Sequence, residues 1–160
     1  MKRVAFIWAI GVFCLAIPGA MFAQTNAALG TWKLNLEKSK YPTGMAPKEL
    51  TRTVTADDDR MKYSFEGKAA DGSDLKYGFT VKYGGDFFDA TGTGAPYGAD
   101  KISIKQVNSH QFSAILKKGD KEVGTGSVTV SHDGKLCTVY GQGTGPDGKP
   151  VKLTQVFDKQ

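Results

Sequence analysis

Few residues in this chain belong to types that do chemistry, and their spacing is the first evidence about function. The histidines are His110 and His132. His132 precedes Asp133, which could pair a base with a carboxylate that orients it. Both histidines, however, fall in stretches that read as turns, where such neighbours are common. Cys14 lies in the apolar N-terminal run, and Cys137 has no histidine at nucleophile–base spacing. No Gly-x-Ser-x-Gly elbow occurs. Asp57-Asp58-Asp59 lacks the alternating spacing of a calcium loop. Gly92-Thr93-Gly94 and Gly124-Thr125-Gly126 lack the lysine and helix that complete a phosphate loop. The expectation is a protein that is not an enzyme, with no catalytic residue, no metal ligand and no cofactor. What remains is binding chemistry. Trp32, Tyr63, Phe65, Tyr77, Phe79, Phe112, Gln155 and Phe157 form the candidate ligand-binding set, an apolar wall with the hydroxyls of Tyr63 and Tyr77 and the Gln155 amide as isolated polar handles.

Those residues need elements that point them the same way. From Leu29 to Leu36 the chain alternates, with Trp32, Leu34 and Leu36 on one face and Thr31, Lys33 and Asn35 on the other. The same period of two runs through Leu50–Ala56, Met61–Phe65 and Leu75–Tyr83, whereas a helix would bunch apolar residues at three and four. A short strand follows at 86–91, then strands at 101–107, 111–118, 121–130, 135–143 and 150–158. Asp133-Gly134, Asp147-Gly148 and Gly119-Asp120 supply the tight turns. The connectors at 37–48 and 92–100 are longer, and Pro42 and Pro47 argue against helix in the first.

An echo at an offset of 76 overlays residues 53–83 on 129–159, with Asp71-Gly72 recurring as Asp147-Gly148. It places Cys137 and Val139 inward and Leu136 and Tyr140 outward. The full inward set is Trp32, Leu34, Leu36, Val54, Met61, Tyr63, Phe65, Leu75, Tyr77, Phe79, Val81, Ile102, Ile104, Phe112, Leu116, Val130, Val139, Val151, Leu153 and Phe157. Ten short antiparallel strands leave unpaired edges unless the sheet closes. The expected fold is therefore all-β, an antiparallel up-and-down meander closing into a barrel of 8–10 strands. A transmembrane barrel is the competing architecture. It would turn the aromatic face to lipid and fill the interior with Lys33, Lys62, Lys76 and Lys82.

Residues 1–23 read as a signal peptide, with Lys2 and Arg3 before the uncharged run Val4–Ile17, then Pro18-Gly19 and a small residue, Ala23. An uncleaved anchor is the alternative. Cleavage would leave a single domain, 24–160, in a periplasmic or extracellular location, with no stable membrane insertion. Taking Lys2 and Arg3 from the 21 basic residues leaves 19 against 16 acidic, a net charge of +3. These basic residues are spread singly along strands, which argues against nucleic acid as a partner. One remaining cysteine excludes an internal disulfide, so stability must come from burial.

The run Gly30-Thr31-Trp32-Lys33-Leu34-Asn35 resembles the Gly-x-Trp first strand of the calycins, the group of lipocalins and fatty-acid-binding proteins. The closing Gln155-Val156-Phe157-Asp158-Lys159 is similar to their final strand. A closer likeness, through Lys38-Ser39-Lys40-Tyr41, is to small secreted bacterial lipocalin-like proteins of unknown function. The resemblance implies a lipocalin-like barrel with an interior ligand. It also implies an arginine of the last strand stacked on the first-strand tryptophan, for which only Lys152 or Lys159 is present. A helical lid and the fatty-acid-binding proteins' buried arginine for a carboxylate have no evident counterparts. Two functions follow: a small apolar or amphipathic ligand held inside the barrel, or a solid-cored envelope protein acting through Leu136, Tyr140 and the 92–100 loop on a protein partner of unknown identity.

Overall fold

The computed structural model describes residues 26–160; the leader expected at 1–23 lies outside them. Ten strands follow in order: β1 Gly30–Leu34, β2 Glu49–Asp57, β3 Arg60–Lys68, β4 Asp74–Val81, β5 Gly84–Thr93, β6 Lys101–Asn108, β7 Gln111–Lys118, β8 Lys121–Val130, β9 Leu136–Thr144 and β10 Pro150–Lys159. Each pairs antiparallel with its sequence neighbours, and β1 pairs with both β2 and β10, so the sheet closes. Closure removes the edges that an open ten-stranded sheet would expose. The turns follow their residue types. Asp58, at φ 52°, sits in the two-residue β2–β3 turn, and Gly119, at φ 59°, in the β7–β8 turn. Both need the left-handed region that Gly and Asp tolerate.

The alternating pattern decides which face is inside. Val54, Tyr63, Val81, Ile104, Phe112, Val130 and Phe157 are buried, while Lys33, Lys62, Lys76 and Lys82 are exposed. This is the reverse of a barrel that turns its aromatic face to lipid. Among the described residues no helix is long and apolar enough to cross a membrane.

β1 is shorter than the sequence pattern implies, and Leu36 is not inward but 44% exposed. Asn35 ends the strand. Its backbone N–H donates to the Val156 carbonyl at 2.8 Å, and its amide donates to Asp158 at 2.6 Å. The chain then runs loosely beside β10. The Ser39 hydroxyl donates to the Asn35 carbonyl at 2.6 Å and accepts from the Val156 N–H at 2.9 Å, and Lys40 exchanges two backbone bonds with Thr154. The Lys38-Ser39-Lys40-Tyr41 motif is thus a seam that finishes the pairing β1 leaves undone, before Tyr41 packs against the core around Trp32.

The two halves of the internal echo match in part. Met61 pairs with Val81 as Cys137 pairs with Phe157, the same register at an offset of 76. The preceding hairpins differ by two residues, because Val54 lies opposite Tyr63 while Val130 lies opposite Cys137. The tighter turn at Asp58-Asp59 extends the β2–β3 ladder and accounts for the slip.

Candidate functional site

The interior holds two buried clusters, and a small cavity lies among residues of one of them. The other cluster, the packed end, is Trp32, Leu34, Leu50, Val130, Cys137 and Phe157. Trp32 is fully buried, and its indole N–H donates to the Ala28 carbonyl at 2.9 Å. The Lys159 ammonium lies 4.9 Å from the ring centroid, so a lysine takes the place of the arginine that the calycin resemblance implies. Beyond this cluster lies an internal cavity of about 110 Å³.

Of the eight sequence-derived candidates, Tyr63, Phe65, Tyr77, Phe79, Phe112 and Gln155 line that cavity. Trp32 and Phe157 do not; they belong to the packed end beneath it. The aromatic wall comes from strand register. Tyr63 opposes Phe79 and Phe65 opposes Tyr77 across β3 and β4, and these pairs stack with centroids 4.8 and 4.4 Å apart.

Three features of the wall escape the aromatic pattern. The first is Arg52 on β2. Its side chain is only 3% exposed and lines the cavity. It crosses the lumen to β9, where Nη1 donates to Cys137 Sγ at 2.7 Å, and its guanidinium lies 5.2 Å from the centre of the Tyr63 ring. Burial opposes its charge, but the facing Cys137 sulfur and Tyr63 hydroxyl outweigh that and hold it above its ordinary value. Among the described residues no carboxylate pairs with it. The lumen therefore holds a buried arginine that the sequence reading did not place there.

The second is a track of hydroxyls beside it. Tyr63 and Tyr83 share a hydrogen bond at 2.5 Å, and the Asn26 amide donates to Tyr83 at 3.1 Å. The third is the long 92–100 connector, which folds back as a roof. Ala95, Pro96, Tyr97 and Ala99 all face the cavity, and Pro96–Gly98 form a single 3₁₀ turn.

Burial raises the hydroxyls of Tyr63 and Tyr77 well above the ordinary phenol value, and pushes Tyr41, whose buried oxygen completes no well-formed hydrogen bond, up to about 12. The sign follows directly. Above about pH 10 an unfolded chain releases these protons while the folded one keeps them, so stability is complete below that pH and falls as pH rises through the folded values. Tyr63 and Tyr77 together should give a slope of about 3 kcal/mol per pH unit between about pH 10.5 and 12. Urea unfolding over that range checks it; a flat profile would mean that these hydroxyls reach water.

The remaining chemically suggestive residues serve the fold. The His110 and His132 rings lie 4.9 Å apart, in the β6–β7 and β8–β9 turns. The Asp133 carboxylate accepts from the Ser131 hydroxyl at 2.5 Å and the Lys135 N–H at 3.1 Å, so it anchors its own turn rather than orienting His132. Asp59 pairs with Lys82. Among the described residues no three metal-ligating side chains converge.

No family model and no curated protein matches the chain. Among solved structures, zebrafish ileal bile acid-binding protein complexed with cholic acid is 10% identical, with a TM-score of 0.50 over 84% of this chain and 99% of that one. A redesigned β-barrel, mFAP1, bound to DFHBI is 15% identical, with a TM-score of 0.47 over 83% and 95%. Lobster apocrustacyanin A1 is 14% identical, with a TM-score of 0.45 over 85% and 62%. The fold is a closed, up-and-down, lipocalin-like barrel, as the Gly-x-Trp resemblance implies.

Proposed function

We propose that this protein is an exported carrier that holds one small amphipathic molecule in its lumen. The apolar part lies against the wall of Phe65, Tyr77, Phe79 and Phe112, and an anionic or strongly accepting group meets Arg52. Arg52 carries this reading. The Arg52 guanidinium is buried without a carboxylate and makes one side-chain hydrogen bond, to Cys137, so N–H donors remain for an acceptor in the lumen. An oxygen anion beside it would form charge-assisted hydrogen bonds, about twice as strong as neutral ones. The cavity, though small, also favours an interior ligand over the solid-cored alternative, which needs a filled barrel. Export rests on the leader pattern of residues 1–23. The singly placed outer lysines suit solvent better than a nucleic acid.

Native mass spectrometry of protein purified gently from its own host tests the proposal. One retained small acid per chain is expected, and it should vanish in Arg52→Met. Repeated bare-chain spectra, together with failure to displace the dye 1-anilinonaphthalene-8-sulfonate, would count against interior binding.

A further inference from the structure

A cavity of about 110 Å³ is small. Pockets for drug-sized molecules run to about 300–1,000 Å³, and a void near 150 Å³ takes a single benzene. Tyr97 stands among the lining residues and takes up part of the lumen.

The Tyr97 ring is seated on a floor of bare backbone. Gly124 faces Gly143 and Gly126 faces Gly141 across β8 and β9, all on the inward phase of their strands. A Cβ added at Gly124 would come within 2.4 Å of the Tyr97 ring, one at Gly143 within 2.7 Å, and one at Gly141 within 2.9 Å of its hydroxyl. These positions therefore lack the side chains that fill the rest of the lumen, and the ring takes up the space. Tyr97 bears two costs in this position. Its φ of 56° is a left-handed conformation that a bulky L-residue rarely adopts. Its hydroxyl is enclosed yet has no hydrogen-bond partner. Gly94 and Gly98, both at positive φ, flank Tyr97, and Asp100 fixes the far end of the connector by accepting the Gly119 N–H at 2.9 Å.

We infer that the glycine floor formed by Gly124, Gly141 and Gly143 of β8 and β9 is a binding subsite for a flat aromatic ring, occupied in this structure by the chain's own Tyr97. The proposal deepens the interior-binding reading and rests on it. A planar ring can lie on two glycine-bared strands where a branched or saturated group would leave gaps, and a polar edge on that ring enters the region where the Tyr97 hydroxyl finds no partner. Ligand and Tyr97 exchange places. Displacement of the tyrosine joins the small cavity to the vacated slot and makes room for an aromatic acid whose charged end meets Arg52.

Calorimetric titration of the whole protein with 2-naphthoate and with dodecanoate tests the subsite. Tyr97→Gly, which also relieves the positive φ, should bind 2-naphthoate at least tenfold more tightly than the wild type. Tyr97→Phe keeps the plug but removes its orphan hydroxyl, so it should bind at least threefold more weakly. Adding Gly141→Ala, whose nearest new neighbours besides Tyr97 are atoms of the Leu153 side chain, to Tyr97→Gly should lower the ratio of naphthoate to dodecanoate affinity at least fivefold. Equal naphthoate affinity in the wild type and both Tyr97 variants would overturn the subsite while leaving interior binding intact. An unchanged ratio on adding Gly141→Ala would overturn the preference for a flat ring. If neither acid binds any form, interior binding itself fails and takes the subsite with it.

Discussion

Trp32→Ala should cost about 3–5 kcal/mol of folding stability, a large share of the 5–15 kcal/mol typical of a domain. Trp32 is fully buried, and so are its neighbours Cys137 and Phe157. Truncation removes the largest side chain of the packed end and leaves a void that these neighbours cannot close. It also removes the indole N–H that satisfies the Ala28 carbonyl and the ring beneath the Lys159 ammonium. The loss falls where the barrel is weakest, because β1 has only five residues and must pair on both sides. Trp32→Phe separates the two effects. It keeps most of the packing and orphans the carbonyl, so about 1–3 kcal/mol is expected. Chemical denaturation of both variants provides the check. A cost below about 1 kcal/mol for the alanine would mean that the indole does not hold this end shut.

Arg52→Met should act in the opposite sense on stability and strongly on binding. Replacing a buried charge by an apolar side chain of similar length is often neutral or stabilising, and here the charge lacks a carboxylate that the substitution would strand. The neighbours left behind, Cys137 and the Tyr63 ring, tolerate a thioether. Stability should therefore hold within about 1 kcal/mol or rise. Affinity for an acidic amphiphile should fall about tenfold to a hundredfold, the equivalent of one charge-assisted hydrogen bond worth about 1.5–3 kcal/mol. Arg52→Ala makes a poor substitute, since it adds a cavity to the lost charge. A variant that stays folded with lowered stability yet binds unchanged would assign Arg52 to the core rather than to the ligand.

The strands were legible because one face of each is wet and the other dry. A period of two needs only that contrast, and it places Tyr63, Phe65, Tyr77, Phe79, Phe112 and Gln155 around one lumen. Depth along the barrel leaves no such mark. Trp32 and Phe157 share the inward phase with the cavity residues but lie at the packed end, since alternation says which side of the sheet a residue faces and nothing about its height. Leu36 fails for a related reason, because the pattern continues past the point where Asn35 turns the chain into the seam with β10. Arg52 was readable by phase, standing between Leu50 and Val54. Its charge argues for solvent on average, and that expectation concealed an inward arginine. Tyr97 carries no periodic signal at all. Its trace lies on other strands, in Gly124, Gly141 and Gly143, which interrupt the inward phase of β8 and β9.

The central claim is that the guanidinium at the heart of the barrel awaits an anion. Nuclear magnetic resonance of the Arg52 Nε–H group, titrated with 2-naphthoate and separately with its uncharged methyl ester, tests it most directly. A saturable one-to-one shift with the acid is expected, and a response to the ester at least tenfold weaker in affinity. Acid binding that leaves the Arg52 resonance in place, or equal affinities for acid and ester, would contradict it.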